Sequence, residues 1–155
     1  MLIVSLALLL AAPQDAIGVP DTATALGYVG DCLTALRADG VDLAKIEAQG
    51  WKSLNARDGS GKPLSTAMYG RQGDMSFLAA TKDPKISCVV LTPTNGMARA
   101  EALRDALNAR LGTKPSGTIP TKLVWTAEGR RVELSPMGKA TDPSGVKIEV
   151  TAVAP

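Results

Sequence analysis

A chain of 155 residues suits one domain, and 45% hydrophobic with 21% charged residues describes a chain that buries a core rather than staying disordered. A formal charge of +2, with no window of five or six Lys or Arg, argues against nucleic acid or an anionic membrane surface as partner. The complete absence of histidine removes Ser-His-Asp and Cys-His catalysis, His-ligated metals and imidazole acid–base chemistry together.

The chain opens with "MLIVSLALLLAAPQDAIG", an apolar or small run over 1–12 followed by a polar break at Pro13, Gln14 and Asp15. About ten apolar residues fall short of the roughly 20 needed to span a bilayer, and they match the hydrophobic stretch of a secretory leader. Lys and Arg are missing ahead of the run, so only the α-amino group supplies positive charge. A cleavable signal peptide is therefore expected over residues 1–18, with cleavage after Ala16 or Gly18. The mature domain then covers 19–155 and is periplasmic or secreted. No cysteine follows the run closely, so no lipid anchor is expected.

Asp21 is placed to cap a helix over about 22–38, with Leu26, Val29, Leu33 and Leu36 on one face, Cys32 at its border and Gly40 as its stop. Asp42 caps a short second helix, and Val41 and Ile46 are spaced as a hydrophobic staple. Gly50 and Trp51 sit where the left-handed glycine and its hydrophobic follower close a helix, which gives Trp51 a structural role. Residues 55–63 read as a loop. Three short strands follow at about 64–69, 75–81 and 86–92, with Ile86, Cys88 and Val90 sharing a face. Thr94 or Asn95 is expected to cap a helix over 97–111 with the stripe Ala100, Leu103, Leu107 and Leu111. Strands at about 122–126 and 131–135 flank "AEGR" as a hairpin. The last strand, 146–153, alternates Val146, Ile148 and Val150 inward with Lys147, Glu149 and Thr151 outward.

This order, ααβββαβββ, predicts an α+β fold of two layers, helices packed on one face of a mostly antiparallel sheet. In an exported chain, two cysteines favour one disulfide, Cys32–Cys88, provided the first helix packs on the third strand. No C-x-x-C or metal-ligand spacing accompanies them.

Other motif matches dissolve on inspection. Ser144-Gly145-Val146-Lys147 fits S-x-x-K, but it enters a strand, where positions i and i+3 face opposite ways, and the S-D-N and K-T-G companions are missing. "GSGK" at 59–62 has Ala56 and Pro63 where a phosphate loop needs Gly and Ser or Thr. Asp39, Asp42, Glu101 and Asp105 read as caps and solvated charges. Arg130 and Arg131, like Lys82 and Lys85, read as turn residues. Neither catalytic nor metal-binding residues nor a cofactor are expected. The expected function is that of a small exported non-catalytic binding or inhibitor-like module whose partner is another envelope or secreted protein. A self-associating envelope protein and a histidine-independent enzyme are the alternatives. An apolar patch or the exposed sheet face would carry the first; a pocket with perturbed titratable groups would mark the enzyme, and long bare sheet edges the self-associating protein.

Overall fold

A computed structural model describes residues 18–153. The expected leader lies outside the described residues except for Gly18. Helix α1 (Thr22–Ala35) starts as its sequence dictates, with the Asp21 carboxylate accepting from the Thr24 N–H at 2.7 Å. It ends sooner than expected, because Leu36 turns extended and carries its side chain into the core. Leu36–Arg37 (β1) pairs antiparallel with Gly40–Val41 (β2), so Gly40 belongs to a hairpin and stops no helix. The Asp42 N–H then bonds the Ala35 carbonyl at 2.9 Å, satisfying one of the acceptors that the helix end frees.

Helix α2 (Leu43–Ala48) is capped by Asp42, which accepts from the Lys45 N–H at 3.1 Å. Gly50 follows at φ +92°, a conformation open to glycine and costly for a residue with a Cβ. Trp51 then enters the core fully buried, in the cluster that also holds Ile46.

The remaining strands are β3 (Lys52–Ser53), β4 (Ala67–Gly70), β5 (Phe77–Thr81) and β6 (Ser87–Pro93). Helix α3 (Met97–Leu111) comes next, then β7 (Ser116–Thr118), β8 (Lys122–Ala127), β9 (Arg130–Lys139) and β10 (Asp142–Ala152). Three helices and a large antiparallel sheet among the described residues make this an α+β protein. The six expected strands are present with moved boundaries. Four further pieces, β1, β2, β3 and β7, have only two or three residues each and carry no alternation to read. The caps expected at Thr94 and Asn95 are not made. Gly96 stands at the N-cap with φ +122° and no side-chain cap, while the Thr94 hydroxyl donates to the Pro143 carbonyl at 3.1 Å. Thr94 thus fastens the start of α3 to the last strand.

The eight-stranded sheet has the order β3-β4-β5-β6-β10-β9-β8-β7. Two meanders, each built from sequence neighbours, meet at the β6–β10 pair, where Val90 stands opposite Ile148 and Cys88 opposite Val150. Helices α1 and α3 pack on each other, α1 also against β6 and β10, and α3 against β10. The strand residues beneath them, Leu78, Cys88, Val90, Val132, Leu134, Val146, Ile148 and Val150, are all buried. On α3, Ala100, Leu103 and Leu107 are buried as expected. On α1 the core face is rotated from the expected leucine stripe. Ala25, Tyr28, Val29, Cys32 and Ala35 are buried, while Leu26 and Leu33 lie at its margin. Three of those five are small side chains, which lets the helix axis approach the sheet. Cys32 therefore sits at the centre of the face and not at its border.

Candidate interaction surface

Cys32 and Cys88 are disulfide-bonded, with Cα atoms 5.5 Å apart, and both are fully buried between α1 and β6. This is the pairing expected from the sequence, and the bond crosses from helix to sheet.

Beside it lies a close group of titratable and aromatic side chains. The Arg71 guanidinium, from the β4–β5 turn, stands 5.1 Å from the Tyr28 ring centroid and 5.3 Å from that of Trp51. The two rings meet edge to face at 5.0 Å. Arg71 donates to the Gln49 carbonyl at 2.6 Å and lies 3.8 Å from the Asp31 carboxylate, which accepts from the Trp51 indole N–H at 2.9 Å. Gly50 makes room for this guanidinium, because a Cβ there would come within 2.9 Å of it. The Tyr28 hydroxyl donates a short hydrogen bond to Asp74, whose other oxygen accepts from the Ser76 N–H at 2.7 Å. Burial and the Asp74 carboxylate push the Tyr28 hydroxyl up to about 12. Burial also pushes the Asp31 carboxyl up, against the Trp51 hydrogen bond and the Arg71 charge. These perturbed groups are engaged with one another. Their work is to tie α1, the end of α2 and the β4–β5 turn together.

The opposite face of the sheet carries no helix among the described residues. Its side chains follow from the register. One row runs Met68, Ala79, Val89, Glu149, Glu133 and Val124 across six strands. The neighbouring row runs Gly70, Phe77, Leu91, Lys147 and Ser135. Leu54, bonded through its N–H to the Met68 carbonyl, extends the first row. Met137 lies over Gly145 at the end of the face. The β3–β6 half is therefore mostly apolar, with Leu54 45% and Phe77 41% exposed and Lys52, opposite Gly70, at its outer edge.

The β10–β8 half is an ion ladder. Glu149 takes Lys85 at 2.7 Å and Lys147 at 3.7 Å; Glu133 takes Arg131 at 2.6 Å and Lys122 at 3.1 Å. Glu133 and Glu149 stand opposite each other, an arrangement that would repel without those four cations. Burial works to raise the Glu133 carboxyl, but Arg131 and Lys122 outweigh it and hold the group below its ordinary value. A shallow depression of about 480 Å³ closes the lower end of this half, lined by Lys85, Ile86, Arg131, Thr151 and Val153.

The sheet edges are short. The β3 edge has two residues and the β7 edge three, so neither offers a long row of free backbone groups.

The motif residues fall where ordinary packing explains them. Ser144 and Lys147 lie on β10, with the Ser144 hydroxyl donating to the Met137 carbonyl at 3.4 Å and the Lys147 ammonium turned to Glu149. In "GSGK" the Asp58 carboxylate collects the N–H groups of Ser60 and Lys62 and closes a turn. Asp42 pairs with Arg37, and Asp105 with Arg104. Arg130 donates to the Leu36 carbonyl at 2.8 Å, so it secures β1 rather than decorating a turn. No group of three or more metal-ligating side chains occurs among the described residues. The outward set Lys147, Glu149 and Thr151 was legible in the alternation of β10. Glu133, Val89 and Leu91 belong to the same face, and only the strand order brings them there. Neither a protein-family model, nor a curated protein, nor a solved structure matches this chain.

Proposed function

We propose that the chain is an exported, disulfide-stapled interaction module of two layers, without catalysis of its own, that binds a protein of its compartment through the open sheet face. The observation that carries this reading is the apolar half of that face: Leu54, Met68, Phe77, Val89 and Leu91 form one patch with no helix over it among the described residues. Contiguous apolar surface rimmed by charge is the usual mark of a protein contact. The ion ladder beside it supplies orientation, since charges at the rim of an interface fix register more than they add affinity. The disulfide supports export, because such bonds persist in oxidising compartments. No described helix is long and apolar enough to cross a membrane.

The test is capture from an envelope extract that also contains untagged copies of the chain, using the oxidised protein as bait. Wild type should retain one stoichiometric protein, and Leu91→Lys, placing a charge at the centre of the patch, should release it. Equal capture by both, or none by wild type, would overturn the reading.

A further inference from the structure

Of the two two-fold axes that lie in the plane of the open face, one along the strands and one across them, only the second makes the centre of the face self-complementary. Two sheets packed face to face lie about 10 Å apart with strands within about 30° of alignment, so each outward side chain meets the opposing face at a defined row. A two-fold axis running along the strands between β6 and β10 would turn the apolar half of one copy onto the ion ladder of the other. That buries Phe77 and Leu91 against charge and strips the ladder of water.

A two-fold axis running across the strands leaves each half facing its own kind. Placed between the row of Leu91 and Lys147 and the row of Val89 and Glu149, it sets Leu91 against Val89 of the other copy and Phe77 against Ala79. The same operation sets Lys147 against Glu149 and Ser135 against Glu133. At the centre of the face the charged contact is of opposite sign and apolar residues meet apolar ones. Toward the flanks the register sets Leu54 against Lys52, Val124 against Lys122 and Met137 against Arg131, each an apolar side chain against the stem of a long cation. Lys147, with its side chain 44% exposed and paired with its own Glu149 at 3.7 Å, would exchange that carboxylate for the Glu149 of the other copy, which Lys85 already holds in place. The footprint, eight strands wide but four rows deep only on β6, β10 and β9, is on the order of 700 Å² at ordinary strand spacings. That is close to the roughly 800 Å² each partner gives to a standard interface.

We infer that the occupant of this face is a second copy of the chain, giving an isologous dimer in which two sheets stack with Lys147 of each copy on Glu149 of the other. This rests on the reading of the open face as the interaction surface and names its partner. The edges play no part, so the assembly closes at two copies.

Sedimentation of the oxidised protein between about 1 and 500 µM tests it. Wild type should pass from monomer to a species of twice the mass and no further. Lys147→Glu and Glu149→Lys should each raise the dimer dissociation constant at least tenfold, because each sets like charge against like. The double exchange Lys147→Glu/Glu149→Lys should restore it, and an equimolar mixture of the two single variants should form the mixed dimer in preference to either homodimer. Near-UV circular dichroism of each variant checks that the fold is kept. Single variants that dimerise like wild type, or a double exchange that fails to restore, would overturn the two-fold. Wild type that stays monomeric at 500 µM overturns the second copy as partner. If that monomer still retains a different protein, and Leu91→Lys still releases it, the interaction reading survives; without such capture both fall.

Discussion

Tyr28 shows how one side chain serves both a helix and a turn. Its ring is buried against Trp51 and under the Arg71 guanidinium, while its hydroxyl reaches Asp74. Tyr28→Phe keeps the ring and deletes a hydrogen bond to a charged acceptor, so it should lower unfolding stability by about 1.5–3 kcal/mol in urea titrations. The pH dependence has a fixed sign. The hydroxyl ionises near 10 when unfolded and near 12 when folded, so its contribution is whole below pH 10 and disappears as pH rises from 10 to about 12. The Phe variant should lack that alkaline decline; an unchanged decline would assign it to other groups. At this scale the sequence was uneven. The cysteine pair was readable because export favours pairing and the alternation of the third expected strand aims Cys88 inward. Arg71 was not, because it sits in "GRQGD", a stretch that reads only as a turn. No spacing relates it to Tyr28 or Trp51.

Elements were legible in proportion to their length and periodicity. Helix α3 spans the residues that its apolar stripe predicts, and β10 alternates as its sequence alternates. Helix α1 was legible as a helix but misread in its face, because leucine hydrophobicity outweighs alanine and cysteine in any count. Packing rewards close approach instead, and small residues win the centre. The two glycines of α1 separate on the same ground. A Cβ on Gly30 would come within 3.1 Å of the Arg110 guanidinium, whereas a Cβ on the exposed Gly27 meets nothing within 4 Å. Gly27→Ala should therefore stabilise the protein by about 0.5–1 kcal/mol, the propensity difference between the residues in a helix interior. Thermal unfolding should show this as a rise of roughly 2–4 °C. No rise, or a fall, would show that a methyl group at position 27 is crowded.

For the whole molecule, the disulfide is the covalent tie between the helices and the sheet. It closes a loop with a sequence separation of 56. The chain-entropy treatment assigns such a closure about 4 kcal/mol. The double variant Cys32→Ala/Cys88→Ala should lose about that much in urea titrations, and a loss below about 1 kcal/mol would show that packing alone joins the layers. The α+β class was readable from the order of helical and alternating segments, since those periods differ. The strand order was not, because nothing local in a strand names its neighbour across the sheet. That is why the apolar half of the open face, assembled from β3 to β6, and the ladder, from β10 to β8, emerge only in three dimensions.

The strand order also governs how the molecule can reach its native state. Within each meander every strand pairs with the next or nearly the next along the chain, so those contacts are local. The junction of β6 with β10 is different: Pro93 and Gly145 pair across all of α3, β7, β8 and β9. Closing a loop of that length costs about 3.5 kcal/mol of chain entropy before any side chain there packs. Truncating the buried valines and isoleucine of that central seam should therefore slow refolding more than equivalent truncations within either meander, as stopped-flow refolding would read.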